Sequence, residues 1–444
     1  MKIIIAGAGE VGTHLAKLLS KEEQDIVLID TDEKVLHLID TKYNVMTHVG
    51  NPTQLEVLEE VGIEGCDLFI AVTPYESLNI TAAILASNLG AKKTVARVEN
   101  SGYLNPTYRA IFKKVGVDEM IYPEQLAAQE IFASLKHNWS WQLIDFSGGL
   151  LRLAGIRVRE KAAILHVPLE RLFLENPFFH VVTIKRGSKT IMPHGSDCIK
   201  PGDIIYATYL PQDEEKLKNL CGKETIRVKK LMIMGASEIA FLTAKAASET
   251  MRVRIVDKSL KRIERFVSGM EDVLFLHTDL RNLEAPKEEE LDQMDAFIAL
   301  SDSAEENILA CKTARDYGVG KTIVEVENLH YIQMAESLDM GTVINKKIIA
   351  ASQIYQMLLG HKNININCLT YADAEAVEIK VLSGSKVTKK LVKKLDLPSE
   401  IKLGGLIRLG KPHLITGETQ IQTDDTVIVF IEGSAISKID KYFA

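Results

Sequence analysis

The sequence predicts an α/β fold with two doubly wound parallel sheets, each followed by a small α+β module. Three observations predict it. Residues 1–30 read as strand, glycine turn, helix, strand and terminal carboxylate within about thirty residues. Strand and helix patterns then alternate to about residue 137 and give way to short β-like stretches. The whole plan begins again at residue 229.

In the opening stretch, Lys2 to Ala6 is an apolar strand, and Gly7-Ala8-Gly9-Glu10-Val11-Gly12 turns the chain. A helix follows with Val11, Leu15, Leu18 and Leu19 on one face, and Ile26 to Ile29 leads to Asp30. Further along, Glu33 to Lys42 reads as a helix with Val35, Leu38 and Ile39 inward. Val45 to Val49 is a strand, and Thr53 to Val61 a helix with Leu55 and Leu58 inward. Leu68 to Val72 is apolar throughout, as a strand buried on both faces requires. A helix from Leu78 to Leu89, a strand from Thr94 to Val98 and a helix from Leu104 to Val115 come next. Met120 to Tyr122 is a sixth strand, and Pro123 opens a helix to about His137. The apolar faces of these last two helices are candidates for pairing with another such sheet.

From about Ser140 the rhythm shortens. Strands at Leu150 to Ile156, His180 to Arg186 and Ile204 to Ala207 alternate with turns such as Pro201-Gly202-Asp203. Trp139 and Trp141, at the join, are expected to pack between domains. The charged stretch Lys223 to Lys230 is a linker. Then Leu231 to Ala240 overlays the first strand and turn, and Asp257 overlays Asp30. Cys66 to Val72 returns as Met294 to Leu300, Asn79 as Asn307 and Val98-Glu99-Asn100 as Val326-Glu327-Asn328, each 228 positions later. Gly202-Asp203 matches Asp424-Asp425, each pair opening an apolar strand.

The chemistry of the first turn is that of a dinucleotide site. Gly7 permits the tight turn, Gly9 lets backbone approach a pyrophosphate, and Gly12 lets helix and strand pack closely. The helix N-terminus offers N–H groups and partial positive charge to phosphates. Asp30, 18 positions past Gly12, is placed to accept hydrogen bonds from a ribose diol. The second copy departs from this pattern. Ser237 replaces Gly9, Ala240 replaces Gly12, Thr278-Asp279 replace Gly50-Asn51, and Glu325 replaces Arg97 at the end of strand five. A carboxylate where a guanidinium faces phosphate opposes binding, so the second site is expected to be weaker or altered in ligand.

Composition sets the remaining bounds. At 444 residues the chain exceeds one ordinary core, and 46% hydrophobic with 25% charged residues is a globular composition. A net charge of −7 argues against a general nucleic-acid binder. Five scattered cysteines form no CxxC pair and read as reduced thiols. No apolar run approaches the roughly 18 residues of a membrane span, so any membrane contact is expected through a partner. The eleven histidines show no metal spacing, and His194 in its Pro-His-Gly turn reads as solvent-facing. Lys386 to Lys394 reads as a solvated helix face. No acid–base set, nucleophile or metal ligands emerge, so no catalytic and no metal residues are assigned.

The stretches KIIIAGAGEVGTHLA, DIVLID, VGN, CDLFIAVT, ESLN and ARVEN, with the two-fold repeat, resemble the TrkA family. These are cytoplasmic regulatory subunits of bacterial Trk potassium uptake systems, built of tandem RCK (regulator of potassium conductance) units. The resemblance covers the whole chain and implies Rossmann halves at 1–137 and 229–360, with small C-terminal halves at 138–222 and 361–444. It implies NAD(H) as ligand, with ATP or ADP as further ligands. It also implies a homo-oligomeric ring, dimer or tetramer, on the cytoplasmic face of a polytopic TrkH-like potassium transporter subunit, with no nucleic acid and no enzymatic activity. Carried over by position, the first site comprises Gly7, Ala8, Gly9, Glu10, Val11, Gly12, Asp30, Asn51, Thr73, Pro74 and Arg97. The second, weaker site comprises Gly235, Ala236, Ser237, Glu238, Ile239 and Asp257. The competing expectations are an NAD-dependent oxidoreductase and a free-standing nucleotide or second-messenger sensor.

Overall fold

The computed structural model describes the chain except for residues 21–23, 188, 225, 281–286, 288, 360–364, 370, 371, 373, 433–435 and 444. The expected boundary at 360/361 lies outside the described residues. The chain forms two compact units. One joins Met1–Lys136 with Ile226–Tyr355, and the other joins His137–Thr225 with Gln356–Ala444.

The first Rossmann half runs β1 (Lys2–Ala6), α1 (Glu10–Leu19), β2 (Asp25–Asp30), α2 (Glu33–Asp40), β3 (Met46–Val49), α3 (Leu55–Glu60), β4 (Leu68–Ala71), α4 (Glu76–Asn88), β5 (Thr94–Arg97), α5 (Pro106–Lys114), β6 (Glu119–Ile121) and α6 (Pro123–Lys136). Its strands are parallel in the order β3-β2-β1-β4-β5-β6. The order reverses between β1 and β4, and that opens a crevice at the strands' C-terminal ends. Ile3, Ile4, Ile5, Phe69 and Ile70 are fully buried, as a sheet covered on both faces demands.

Two helix phases differ from expectation. In α2 the buried positions are Leu36 and Ile39, while Leu38 is exposed. In α3 they are Val57 and Leu58, while Leu55 is exposed. Each helix is too short for its apolar stripe to define one phase, so packing on the sheet selects the face.

The first small module contains β7 (Gln142–Phe146), β8 (Leu151–Arg157), α7 (Leu169–Glu175), β9 (Phe179–Arg186), β10 (Lys189–Ile191), β11 (Ile204–Tyr209) and α8 (Glu214–Leu220). Trp139 lies inside this module's own core, edge-on to Tyr209 with ring centroids 6.0 Å apart.

The second Rossmann half has β12 (Lys230–Met234), α9 (Glu238–Ser248), β13 (Arg252–Asp257), α10 (Leu260–Val267), β14 (Val273–His277), β15 (Ala296–Ala299), α11 (Ala304–Asp316), β16 (Lys321–Glu325), α12 (Leu329–Ser337), β17 (Thr342–Ile344) and α13 (Lys346–Leu359). Its order, β14-β13-β12-β15-β16-β17, repeats the first. The second small module has β18 (Asn365–Cys368), β19 (Ala374–Lys380), β20 (Ile401–Arg408), β21 (Lys411–Leu414), β22 (Thr426–Glu432) and α14 (Ile436–Phe443). Residues Lys386–Thr388 and Val392–Lys394 are short 3-10 turns rather than the expected α-helical face.

Each small module is a five-stranded antiparallel sheet of equivalent order, β7-β8-β11-β9-β10 and β18-β19-β22-β20-β21. The repeated aspartates have one task. Arg186 donates to both oxygens of buried Asp203 at 2.9 and 2.7 Å, and Arg408 does the same to Asp425 at the same distances. The two modules meet directly, with the Thr208 hydroxyl donating to the Gly404 carbonyl at 3.1 Å and Ser147 donating to Glu378.

The Rossmann halves are likewise joined. Ala127, Ala128, Ile131 and Leu135 of α6 share one core with Ile239, Ala240 and Ala244 of α9. The expected pairing of that last helix with another Rossmann unit is thus internal to the chain. By contrast, no residue of α5 is fully buried, and Tyr108 and Ile111 face outward. Among the described residues no helix is long and apolar enough to cross a membrane, and no group of His, Cys, Asp or Glu is arranged to hold a metal.

Candidate functional site

The residues expected at the first site meet at the crevice, at the C-terminal ends of β1 to β5: Asp30 and Arg97 close their strands, Asn51, Thr73 and Pro74 lie on the loops that follow, and Gly7 to Gly12 form the turn into α1. Gly7 sits in the left-handed region at φ +111°, and a Cβ there would come within 2.9 Å of the Thr73 nitrogen. Glycine at this point therefore lets the turn lie against the end of β4. Gly12 is tighter still, since a Cβ would fall 1.8 Å from the Gly7 carbonyl oxygen. At Gly9 a Cβ would meet nothing within 4 Å, and α1 starts there without a side-chain cap. Its first amides therefore face the crevice without a side chain above them. Val11 and Ala8 point into the core, so only their backbone can serve a ligand.

Asp30 ties the turn to β2. Its Oδ2 accepts from the Ala8 N–H at 2.6 Å and its Oδ1 from Asp32 at 2.9 Å. An ionised carboxylate has about four lone-pair sites, which leaves acceptor capacity for a ribose diol. The Asn51 oxygen accepts from the amide and hydroxyl of Thr53, at 3.0 and 2.8 Å, and so shapes the turn after β3.

The opposite wall is organised by Asn79, which the sequence marked only as part of the repeat. Fully buried in the first turns of α4, it accepts from the Thr73 amide and hydroxyl at 2.9 and 2.7 Å. It also donates to the carbonyls of Thr73 and Arg97, both at 3.0 Å. One side chain thus holds the ends of β4 and β5 together beside Pro74. Glu76 does similar work for the next loop, accepting from the amides of Glu99 and Asn100 at 2.6 and 2.7 Å. Arg97 reaches Glu99 at 3.2 Å, but its buried Nε donor has no hydrogen-bond partner. An unpaired buried guanidinium N–H is costly unless a ligand completes it, and an anion is the ligand chemistry that does so.

The second site keeps the scaffold and changes the surfaces. Gly235 repeats Gly7 at φ +102°. Asp257 accepts from Ala236 and Ser259, both at 2.7 Å. Asn307 repeats Asn79, accepting from the Ser301 amide at 2.9 Å and donating to the carbonyls of Ser301 and Glu325 at 2.9 and 3.0 Å. Ser237, however, caps α9, its hydroxyl accepting from Ala240 at 3.3 Å. Glu238 opens that helix, and Ile239 is buried in the core. Ion pairs cross the mouth from Lys258 to Glu306 at 3.0 Å and from Arg262 to Asp302.

Glu325 replaces Arg97 and is 5% exposed. Burial pushes its pKa up to about 7, against the pull of Lys346, whose ammonium lies 3.9 Å away. Burial alone would lower the pKa of Lys346, yet Glu325, Glu327 and Glu124 together raise it.

Comparison with known proteins gives a consistent picture. The TrkA-N domain model matches residues 3–123 and 231–346, and the TrkA-C domain model matches residues 376–444. The chain is 28% identical over 446 residues to a "Trk system potassium uptake protein TrkA homolog" of Archaeoglobus fulgidus, with all of both chains covered. It is 27% identical to "Trk system potassium uptake protein TrkA" of Halomonas elongata, covering all of this chain and 98% of the relative. Among solved structures, the GsuK RCK domain shares the fold at a TM-score of 0.60 with 12% identity, over 99% of this chain and 94% of that one. A structure described as the GsuK channel bound to NAD does so at 0.59 with 12% identity, over 100% and 78%.

Proposed function

Because the chain belongs to the family of TrkA-N domain proteins, we propose that it is a nucleotide-sensing regulatory subunit of a potassium uptake system rather than an enzyme. NAD(H) occupies the first crevice, with ADP and ATP as competing ligands. The pyrophosphate lies over Gly7 to Gly12 and the start of α1, the ribose diol on Asp30, and the anion beside Arg97. Thr73 and Pro74 line the far wall, and Asn51 borders the ribose end. The second crevice, at Gly235 to Ile239 and Asp257, binds more weakly. The chain assembles as a homo-oligomeric ring on the cytoplasmic face of a polytopic potassium transporter. The ligand gates transport by its differential affinity for two ring states.

The observation that carries this reading is the contrast at Gly9 and Arg97. An uncapped helix N-terminus and a buried, unpartnered guanidinium N–H flank one crevice. Full-length relatives that are Trk system potassium uptake proteins supply the potassium system. The test is calorimetry of NADH, ADP and ATP on the full chain, followed by potassium flux in vesicles containing the transporter. Arg97→Gln and Asp30→Asn are expected to weaken NADH binding at least about tenfold, because each loses a charge-assisted hydrogen bond. Unchanged affinity in both variants rejects the site. Flux indifferent to the wild-type chain rejects the regulatory role.

A further inference from the structure

We infer that Lys347, carried by the second Rossmann half, belongs to the first nucleotide pocket, where it cancels the charge of Glu10 and makes the glycine turn receptive to phosphate. This rests on the reading of the first crevice as a nucleotide site. The argument begins from an awkward residue. Glu10 is the first residue of α1, directly after Gly9. A carboxylate there is favourable for the helix itself, because it meets the positive end of the dipole. For a pyrophosphate approaching the same amides it is a like charge at close range, and it competes for the field that draws anions to helix N-termini.

The second half answers that charge. Lys347 Nζ lies 3.0 Å from Glu10 Oε2 and 3.1 Å from Glu327 Oε2. Its position is fixed by structure far from the pocket in sequence. The backbone N–H of Lys347 donates to Asn345 Oδ1 at 3.0 Å, and Asn345 is itself anchored to the Val326 and Glu327 carbonyls, both at 2.8 Å. Next to it, Lys346 holds Glu327 at 2.8 Å and Glu124 of the first half at 3.7 Å. The lysine pair at the start of α13 therefore bridges the two halves and ends at the phosphate turn.

The equivalent carboxylate at the second turn is met differently. The titratable neighbour there is Tyr122 of the first half, a buried hydroxyl with no hydrogen-bond partner; burial first, and the charge of Glu238 after it, push its pKa upward, so that it stays a neutral phenol. A phenol cannot cancel a carboxylate charge. The first turn is thus made tolerant of phosphate by its neighbour, and the second is not. By linkage, phosphate at the first turn strengthens the docking of the halves to the same extent that docking strengthens phosphate binding.

The test is calorimetry on the full chain at low salt with NADH, ADP and adenosine as probes. The proteins are wild type, Lys347→Gln, Glu10→Gln and the double variant. Lys347→Gln is expected to weaken NADH and ADP about tenfold, the scale of one uncompensated, partly screened charge. Adenosine, which carries no phosphate, is expected to bind as in wild type. Glu10→Gln in the Lys347→Gln background is expected to restore NADH affinity to within about twofold, since no charge is left to cancel. NADH binding unchanged in Lys347→Gln overturns the inference. So does a double variant as weak as Lys347→Gln, which would mean that the lysine acts through folding or on the phosphate alone. If wild type binds neither NADH nor ADP, the pocket reading itself falls and takes this inference with it.

Discussion

In the first Rossmann half, α1 begins at Gly9 with open space where a side chain would stand. In the second, α9 begins at Ser237, whose hydroxyl accepts from Ala240 at 3.3 Å. Arg97 closes β5 with an unpartnered Nε, and Glu325 closes β16 buried beside Lys346. Everything beneath these positions is shared. Strand order, the Asp30 and Asp257 ties to the turn, and the Asn79 and Asn307 clamps are the same in both halves. The residues that hold backbone in place are kept twice, and the residues that would face an anion differ. The scaffold serves the docking of α6 on α9 whether or not a ligand is present.

The comparison breaks hardest at Gly12. An alanine there would put a methyl 1.8 Å from the Gly7 carbonyl oxygen, although the second half carries Ala240 at the equivalent position. The two turns therefore differ in backbone spacing as well as side chains. Gly12→Ala is expected to cost about 3 kcal/mol, at the upper end for overpacking, and to abolish NADH binding. Ala240→Gly is expected to cost about 2 kcal/mol, the helix-propensity difference plus the loss of a buried methyl from the core shared with α6. Urea unfolding of both variants checks the pair, and a Gly12→Ala variant as stable as wild type would show that the first turn has the same room for a methyl as the second.

Much of this was legible in the chain. Apolar runs between turn residues located the six strands of the first sheet; β1 and β4, buried throughout, leave no other pattern, while the exposed edge strand β3 was placed by the strand–helix alternation around it. The repeat doubled that reading. What periodicity could not reach was set by packing. Leu38 and Leu55 face solvent because short helices take their phase from the sheet. Asn79 was visible as a repeated residue, yet its four bonds need β4 and β5 side by side. Asp203 looked like a turn residue, and only the folded module shows Arg186 gripping it. The pairing of Glu10 with Lys347 joins residues at opposite ends of the Rossmann unit and depends on how the halves dock. No local pattern encodes it.

A second difference can be read through pH. Burial raises the folded-state pKa of Glu325 to about 7 from an ordinary value of 4.5. Between those values the folded chain holds a proton that the unfolded chain has released, so Glu325 makes stability fall as pH rises through that window. Glu325→Gln is therefore expected to flatten the profile, gaining about 2 kcal/mol relative to wild type between pH 5 and pH 8. Unfolding midpoints at the two pH values give the difference directly, and parallel profiles for variant and wild type would refute the assignment.

The finest comparison exchanges a single hydroxyl. Gly9 has φ −63° and ψ −174°, a conformation open to serine, and a Cβ there meets nothing within 4 Å. Gly9→Ser should therefore fold without strain and bring its hydroxyl to the Gly12 amide, as Ser237 does to Ala240. The helix gains only a few tenths of a kcal/mol, the usual margin of serine over glycine at this position. The pocket loses an amide to that cap, and NADH affinity is expected to fall about tenfold, the worth of one hydrogen bond to a charged group. Ser237→Gly is expected to leave the NADH affinity of the first pocket unchanged. Calorimetry on the two variants separates the effects. If Gly9→Ser binds NADH as wild type does, the amides of α1 do not contact the phosphates, and the difference between the halves lies in Arg97 and Glu325 alone.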